Sequence, residues 1–320
     1  MDVDGLKVKL FSLGSNDSIA QEISDYTKIP LSSVEVSSFS DGEVNINIGE
    51  TVRGHHVFVV QSTSMPVNEN YMVLLIMIDA LKRASAATIN VVMPYYGYSR
   101  QDRKAKSRQP ISAKLVADLL QVAGTNRVIT MDLHAAQIQG FYDIPIDNMR
   151  AFPVIFEYFK NKTKGRDVIV VSPDHGGTTR ARKLATALDV PIAIIDKRRP
   201  RPNQVEVMSI IGDVKDKTCI IIDDIIDTAG TLTLAAKALC DNGAVEVYGV
   251  GTHGLLTSDA VNKIEESTLD EVVVMNTIQL PSEKISNKIK VLSVSSIFGQ
   301  AILNIIHNEP LSSLFEANNK

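Results

Sequence analysis

Nearly continuous runs of β-branched residues recur along the chain at the spacing of a parallel sheet. They are KVKLF, VFVV, INVVM and RVIT in the first half, then DVIVV, PIAII, TCIII, VEVYGV and EVVVM in the second. Strands this uniformly apolar need both faces covered, which is the condition of a parallel sheet held between helices. Amphipathic stretches fit between them at Asp17 to Tyr26, Val67 to Ala86, Ile111 to Ala123, Thr178 to Leu188 and Gly230 to Asn242. The rhythm predicts an α/β fold of doubly wound parallel sheets. VNINI, residues 44–48, alternates instead and fits an edge or hairpin strand. At 320 residues the chain exceeds what one core usually serves, and a polar, Pro-containing seam around Asn148 to Pro153 divides the two strand series. Two domains are expected, 1–149 and 150–299, with a C-terminal helix at about 300–320 packing back on the first.

A formal net charge of -4 argues against a protein that wraps nucleic acid, so any basic cluster has a local purpose. Cys219 and Cys240 both sit in apolar runs and read as small hydrophobes in a reducing compartment. The opening MDVDGLKVKLF lacks the basic start and apolar stretch of a secretory signal, and the run from Met72 to Ile78 is too short to span a bilayer. A cytoplasmic protein with no membrane partner is expected.

The segment TCIIIDDIIDTAGTLTLAAKAL, residues 218–239, carries the most chemistry. A buried strand runs to Asp223 and Asp224, then to a turn of small and hydroxyl residues, Asp227, Thr228, Ala229, Gly230 and Thr231, and then a helix. Ligands of open parallel sheets lie beyond the carboxyl ends of the strands. Backbone N–H groups of such a turn approach a phosphate at the positive end of the helix, and adjacent acids suit the paired hydroxyls of a ribose. No Gly-Lys-Ser/Thr ending is present, so this is not a Walker A loop. Taken singly, an acid here reads as a strand end or a helix cap.

DDIIDTAGT resembles the phosphoribosyl-diphosphate motif shared by type I phosphoribosyltransferases and ribose-phosphate pyrophosphokinases. FSDGE at 39–43, PYYGYSRQDRK at 94–104, SRQPISAKLVADLL from Ser107, DLHAAQIQGFYDIPIDN at 132–148, SPDHGG at 172–177 and DKRRPRPN at 196–203 resemble the second family over nearly the whole chain, most closely its bacterial, phosphate-activated class. The resemblance implies two tandem domains of the type I phosphoribosyltransferase kind. It also implies transfer of a diphosphoryl group from Mg-ATP to ribose 5-phosphate.

The same motifs imply roles for other residues. Five of the nine residues from Arg100 to Arg108 are Arg or Lys, a density that serves either as a solvated loop or as a triphosphate clamp. The resemblance makes Arg100 and Gln101 ATP contacts. Phe39, Asp41, Gly42 and Glu43 are similar to the adenine loop, which in the family serves a neighbouring subunit's site. His134 and Asp174 each follow a strand and resemble the Mg²⁺ ligands, and Mg²⁺ prefers oxygen and retains water. Lys197 and Arg199 open a Pro-rich basic loop and resemble the catalytic cations, with Arg199 also at the ribose 5-phosphate.

A homo-oligomer, a hexamer with shared sites in the related enzymes, is implied, as is allosteric control through segments holding Arg53, Arg108 and Asp147. Two stretches depart from the family pattern. Thr257-Ser258 stands where a Ser-Gly ending is usual, and Pro310 lies in a region usually richer in Ser. Two rival readings stay open. A type I phosphoribosyltransferase shares the ribose loop, and a non-catalytic regulatory subunit shares the fold.

Overall fold

This structure, a computed structural model, describes residues 2–3, 5–198, 207–312 and 314. The chain forms two compact units. The first holds residues up to Arg150, Thr277–Gln279 and the chain from Ser293, and the second holds Ala151–Asn276 and Leu280–Leu292.

The first unit contains strands β1 (Asp2–Val3), β2 (Leu6–Ser12), β3 (Val34–Ser38), β4 (Val44–Ile48), β5 (His56–Val60), β6 (Thr88–Met93), β7 (Arg127–Met131) and β8 (Ile146–Met149). Helices α1 (Asp17–Thr27), α2 (Val67–Arg83) and α3 (Ser112–Ala123) intervene. β2, β5, β6, β7 and β8 are parallel neighbours in that order, and β1 is antiparallel at the β2 edge. Side chains alternate across a strand, and this sorts the layers. Phe11, Val57, Val59, Val91 and Val128 share one core with Leu74, Met77 and Ile78 of α2 and Ala113, Val116 and Leu120 of α3. Leu10, Phe58, Val60 and Val92 occupy intervening positions and are equally buried. The alternating VNINI segment is β4, paired antiparallel with β3 in a separate hairpin that leaves most of its side chains exposed.

The second unit contains α4 (Phe152–Lys162), β9 (Val168–Ser172), α5 (Thr178–Leu188), β10 (Ile192–Arg198), β11 (Val207–Ile211), β12 (Thr218–Ile226), α6 (Gly230–Asp241), β13 (Glu246–Gly254), α7 (Ala260–Glu266), β14 (Glu271–Met275) and β15 (Ile289–Leu292). The order across its sheet is β11-β10-β9-β12-β13-β14-β15, parallel except for β11. From β9 the chain moves outward to β10 and β11, then returns to the other side of β9 and proceeds from β12 to β15. The β9/β12 pair is therefore the topological switch point, where crossovers leave in opposite directions and a crevice opens beyond the strand ends.

The last helix, α8 (Ser295–Ile306), belongs to the first unit and packs on α1. Gly299 makes the approach: a Cβ there would lie 2.5 Å from the Tyr26 ring, whose hydroxyl donates to Gln300 Oε1 at 2.8 Å. The helix expected at about 300–320 thus starts earlier and breaks at Ile306. Asn308 takes a left-handed φ of 54°, and Asn304 Nδ2 donates to the carbonyl of Pro310, a residue with no N–H to continue the ladder. Residues 313 and 315–320 lie outside the described residues.

Both cysteines are free thiols. Burial pushes Cys219 up to about 12, in keeping with an inert packing role. Among the described residues no helix is long and apolar enough to cross a membrane.

Candidate active site

β12 outgrows its neighbour. β9 pairs with it only from Thr218 to Ile221, whereas β13 follows it to Ile226. Asp223 and Asp224 consequently emerge past the end of β9, at the switch point and on the carboxyl side of the sheet. Alternation separates the two: the Asp224 side chain is 7% exposed and that of Asp223 is 35% exposed. Arg180, from the first turn of α5, grips both, with Nη1 3.1 Å from Asp223 Oδ1 and Nη2 3.4 Å from Asp224 Oδ1. The backbone N–H of Asp224 also donates to Asp223 Oδ1, at 2.9 Å. Burial first, then the neighbouring Asp224 carboxyl, pushes Asp223 up to about 7 despite the opposing pull of Arg180.

The turn beyond the acids gives small side chains a reason. Ala229 takes a left-handed φ of 59° as N-cap of α6, and Gly230 begins the helix. A cavity of about 200 Å³ opens here, lined by Asp223, Asp227, Thr228, Ala229, Gly230 and Thr231, with Pro173 and Asp174 from the β9 side. Six of the residues expected at the ribose 5-phosphate thus share one cavity with Asp174. Asp224 is held just behind it by Arg180. Asp174 Oδ1 accepts from the Gly177 N–H at 2.9 Å, which fixes the carboxylate at the mouth of its loop. Lys197 lies in β10, opposite Met208 in the β10–β11 register, and Arg199 lies outside the described residues.

The remaining expected residues belong to the first unit. Phe39 to Glu43 form the tip of the β3–β4 hairpin: Phe39 N donates to the Glu43 carbonyl at 2.8 Å, Gly42 N donates to the Phe39 carbonyl at 2.9 Å, and Gly42 supplies a φ of 93°. Asp41 Oδ1 accepts from Glu43 N at 3.1 Å. The Phe39 ring is 57% exposed on this tip. Arg100 and Gln101 follow β6 on the carboxyl side of the sheet, where Gln101 N donates to the Tyr98 carbonyl at 2.9 Å and its Oε1 accepts from Ser112. His134 is exposed after β7. Asp147 pairs with Arg127 at 2.5 Å, and Arg53 donates to Ser85 at 3.1 Å. A larger cavity of about 550 Å³ opens at the amino-terminal end of this sheet, by Leu6, His56 and Thr88 at the strand starts and by Arg127, the partner of Asp147.

Two sets of supporting residues were not anticipated. Arg180 is one, since TTRARKLATAL reads only as an amphipathic helix between strands. A tyrosine group beneath the Arg100 segment is the other: Tyr142 OH donates to Tyr96 OH at 2.9 Å, Tyr96 OH to the Ala113 carbonyl at 3.1 Å, and Tyr71 OH to the Gly97 carbonyl at 2.8 Å. The Tyr-Tyr-Gly-Tyr run was the available signal for it.

A carboxylate pair, of which Asp223 lines a cavity together with the small-residue turn at the switch point of a mostly parallel sheet, defines an α/β protein of the sugar-phosphate-binding class. Sequence comparison narrows the class. Residues 8–124 match the model of the N-terminal domain of ribose phosphate pyrophosphokinase, and residues 172–316 match that of the phosphoribosyl synthetase-associated domain. The chain is 60% identical over 310 residues to ribose-phosphate pyrophosphokinase 1 of Listeria monocytogenes, covering 97% of this chain and 98% of that protein. It is 59% identical over 309 residues to ribose-phosphate pyrophosphokinase of Bacillus cereus, covering 96% and 97%. The crystal structure of phosphoribosylpyrophosphate synthetase from Mycobacterium smegmatis matches with a TM-score of 0.91 at 39% identity, covering 94% of this chain and 99% of that one. The chain belongs to the ribose-phosphate pyrophosphokinase family.

Proposed function

We propose that the protein transfers the diphosphoryl group of ATP to the 1-hydroxyl of ribose 5-phosphate, giving 5-phosphoribosyl 1-diphosphate and AMP. The observation that carries this reading is the cavity that Asp223 shares with the turn from Asp227 to Thr231, in a chain of this family. Asp223 and Asp224 accept hydrogen bonds from the ribose hydroxyls. Asp227, Thr228, Ala229, Gly230 and Thr231 cradle the 5-phosphate at the positive end of α6. On the first unit, Arg100 and Gln101 bind the triphosphate, while Phe39 stacks on adenine and Asp41, Gly42 and Glu43 shape its pocket.

With the sugar fixed, its 1-oxygen attacks the β-phosphorus in line. The bond from that phosphorus to the α,β-bridging oxygen breaks, and AMP leaves with the oxygen. Such transfers proceed by positioning and charge stabilisation. Lys197 and Arg199 supply cations for charge building on the phosphates. The proton of the attacking hydroxyl passes to solvent water.

Among the described residues no group of three or more acids, histidines or cysteines is placed to hold a metal ion; Asp174 lines the cavity, and a hard oxygen donor of this kind suits Mg²⁺. Asp174 and His134 would hold the ion, which when bound neutralises phosphate charge. We place the enzyme in the cytoplasm as a homo-oligomer, a hexamer with sites shared between subunits. Its two phosphoribosyltransferase-like domains divide at about residue 150. Incubation with ATP, Mg²⁺ and ribose 5-phosphate should release AMP in step with loss of the sugar phosphate. A folded, pure protein that forms no AMP would leave this reading without support.

A further inference from the structure

We infer that Thr257 is a positioning residue for ribose 5-phosphate, acting through Asp227; the inference rests on the ribose assignment above. Past Ile221, β12 has lost β9, so the end of the strand and the start of the phosphate turn are flanked by β13 alone. The chain leaving β13 continues that support beyond the strand pair. Leu255 N and Leu256 N both donate to the Ile226 carbonyl, at 2.9 and 3.2 Å. Thr257 then engages Asp227 twice: its backbone N–H donates to the Asp227 carbonyl at 3.0 Å, and its Oγ1 donates to Asp227 Oδ1 at 2.5 Å. One residue therefore fixes both the backbone and the carboxylate of the first residue of the turn.

A second observation points to the same contact. Leu256 and Ser258, on either side of Thr257, both take left-handed φ angles, 46° and 54°, that non-glycine residues rarely adopt. Backbone strain of this kind persists only where the surroundings over-determine it. Here Leu256 is fully buried in the core and Ala260, also fully buried, donates its N–H to the Thr257 carbonyl at 3.2 Å. Anchored at both ends, the strained segment presents the Thr257 hydroxyl to Asp227. A hydroxyl donating to a carboxylate is a charge-assisted bond, and it restricts the rotamer of an acid on the cavity wall.

The test compares Thr257→Val, which keeps the shape and the backbone bond but removes the donor, with Thr257→Ser, which keeps the donor. Thr257→Val should raise the KM for ribose 5-phosphate roughly tenfold and leave the KM for ATP within about twofold, and Thr257→Ser should return the sugar KM to within about twofold of the parent. Thr257→Ala is read the same way should the valine variant not fold. A sugar KM unmoved by loss of the hydroxyl overturns the inference while the parent's AMP formation keeps the functional reading. Equal rises in both KM values with a lowered Tm overturn it in favour of a purely structural role. A parent that forms no AMP overturns the functional reading and the inference with it.

Discussion

Asp223 is an acid held near its point of ionisation by opposing neighbours. Burial and Asp224 push it up to about 7, and Arg180 draws it down. In the unfolded chain the same carboxyl ionises in the ordinary aspartate range. Between these limits the folded protein retains a proton that the unfolded chain has released. Its contribution to stability is therefore present at low pH and is lost as pH rises through about 7. Thermal midpoints of the ligand-free parent should fall across this window relative to those of Asp223→Asn; parallel curves for the two proteins would contradict the raised value. Arg180→Ala leaves two adjacent acids without their shared cation and should raise the ribose 5-phosphate KM roughly tenfold, since bonds to charged groups are the stronger ones. A KM unchanged in that variant would show that the clamp does not shape the sugar site.

Among the elements, the segment after β6 depends most on close backbone contact. Gly97 donates its N–H to Thr63 Oγ1 at 2.8 Å, and a Cβ on it would stand 2.4 Å from the Thr63 carbonyl oxygen, with the Tyr71 ring at 3.2 Å. Gly97→Ala must move backbone rather than a flexible side chain. It should cost about 1–3 kcal/mol in denaturant unfolding, as overpacking does, and raise the ATP KM through Arg100 and Gln101. Normal stability in that variant would mean the turn accommodates the methyl group. The long apolar strands and the five amphipathic helices were legible because burial on two faces or one face leaves a direct pattern in the residues. β8, with Asp147 and Asn148, and β15, with two exposed residues in four, carry no such pattern. α8 begins at Ser295 behind Val294, an N-cap residue that makes no side-chain capping bond, so its start left no local mark. In the site, Asp223 to Thr231 were legible because one continuous segment contains them. Arg180 was not, because its role arises from α5 standing beside the tip of β12, a relation between segments 43 residues apart.

At the scale of the molecule, the residues proposed for ATP lie on the first unit and those for ribose 5-phosphate on the second. The hairpin tip with its exposed Phe39 is the element whose proposed role depends on assembly. Aromatic area left open to water is stabilised when it stacks, and the family resemblance assigns that partner to a base bound by a neighbouring subunit. If so, the hairpin and the Lys197 strand of one catalytic centre come from different chains, and defects in them complement. Phe39→Ala and Lys197→Ala should each be nearly inactive alone. Co-expressed in equal amounts, they form mixed oligomers in which about a quarter of the sites combine an intact Lys197 from one subunit with an intact hairpin from its neighbour. AMP formation should then recover toward that fraction of the parental rate. Activity no greater than the sum of the separately purified variants would instead assign each hairpin to its own chain's site, and the shared centre would have to be abandoned.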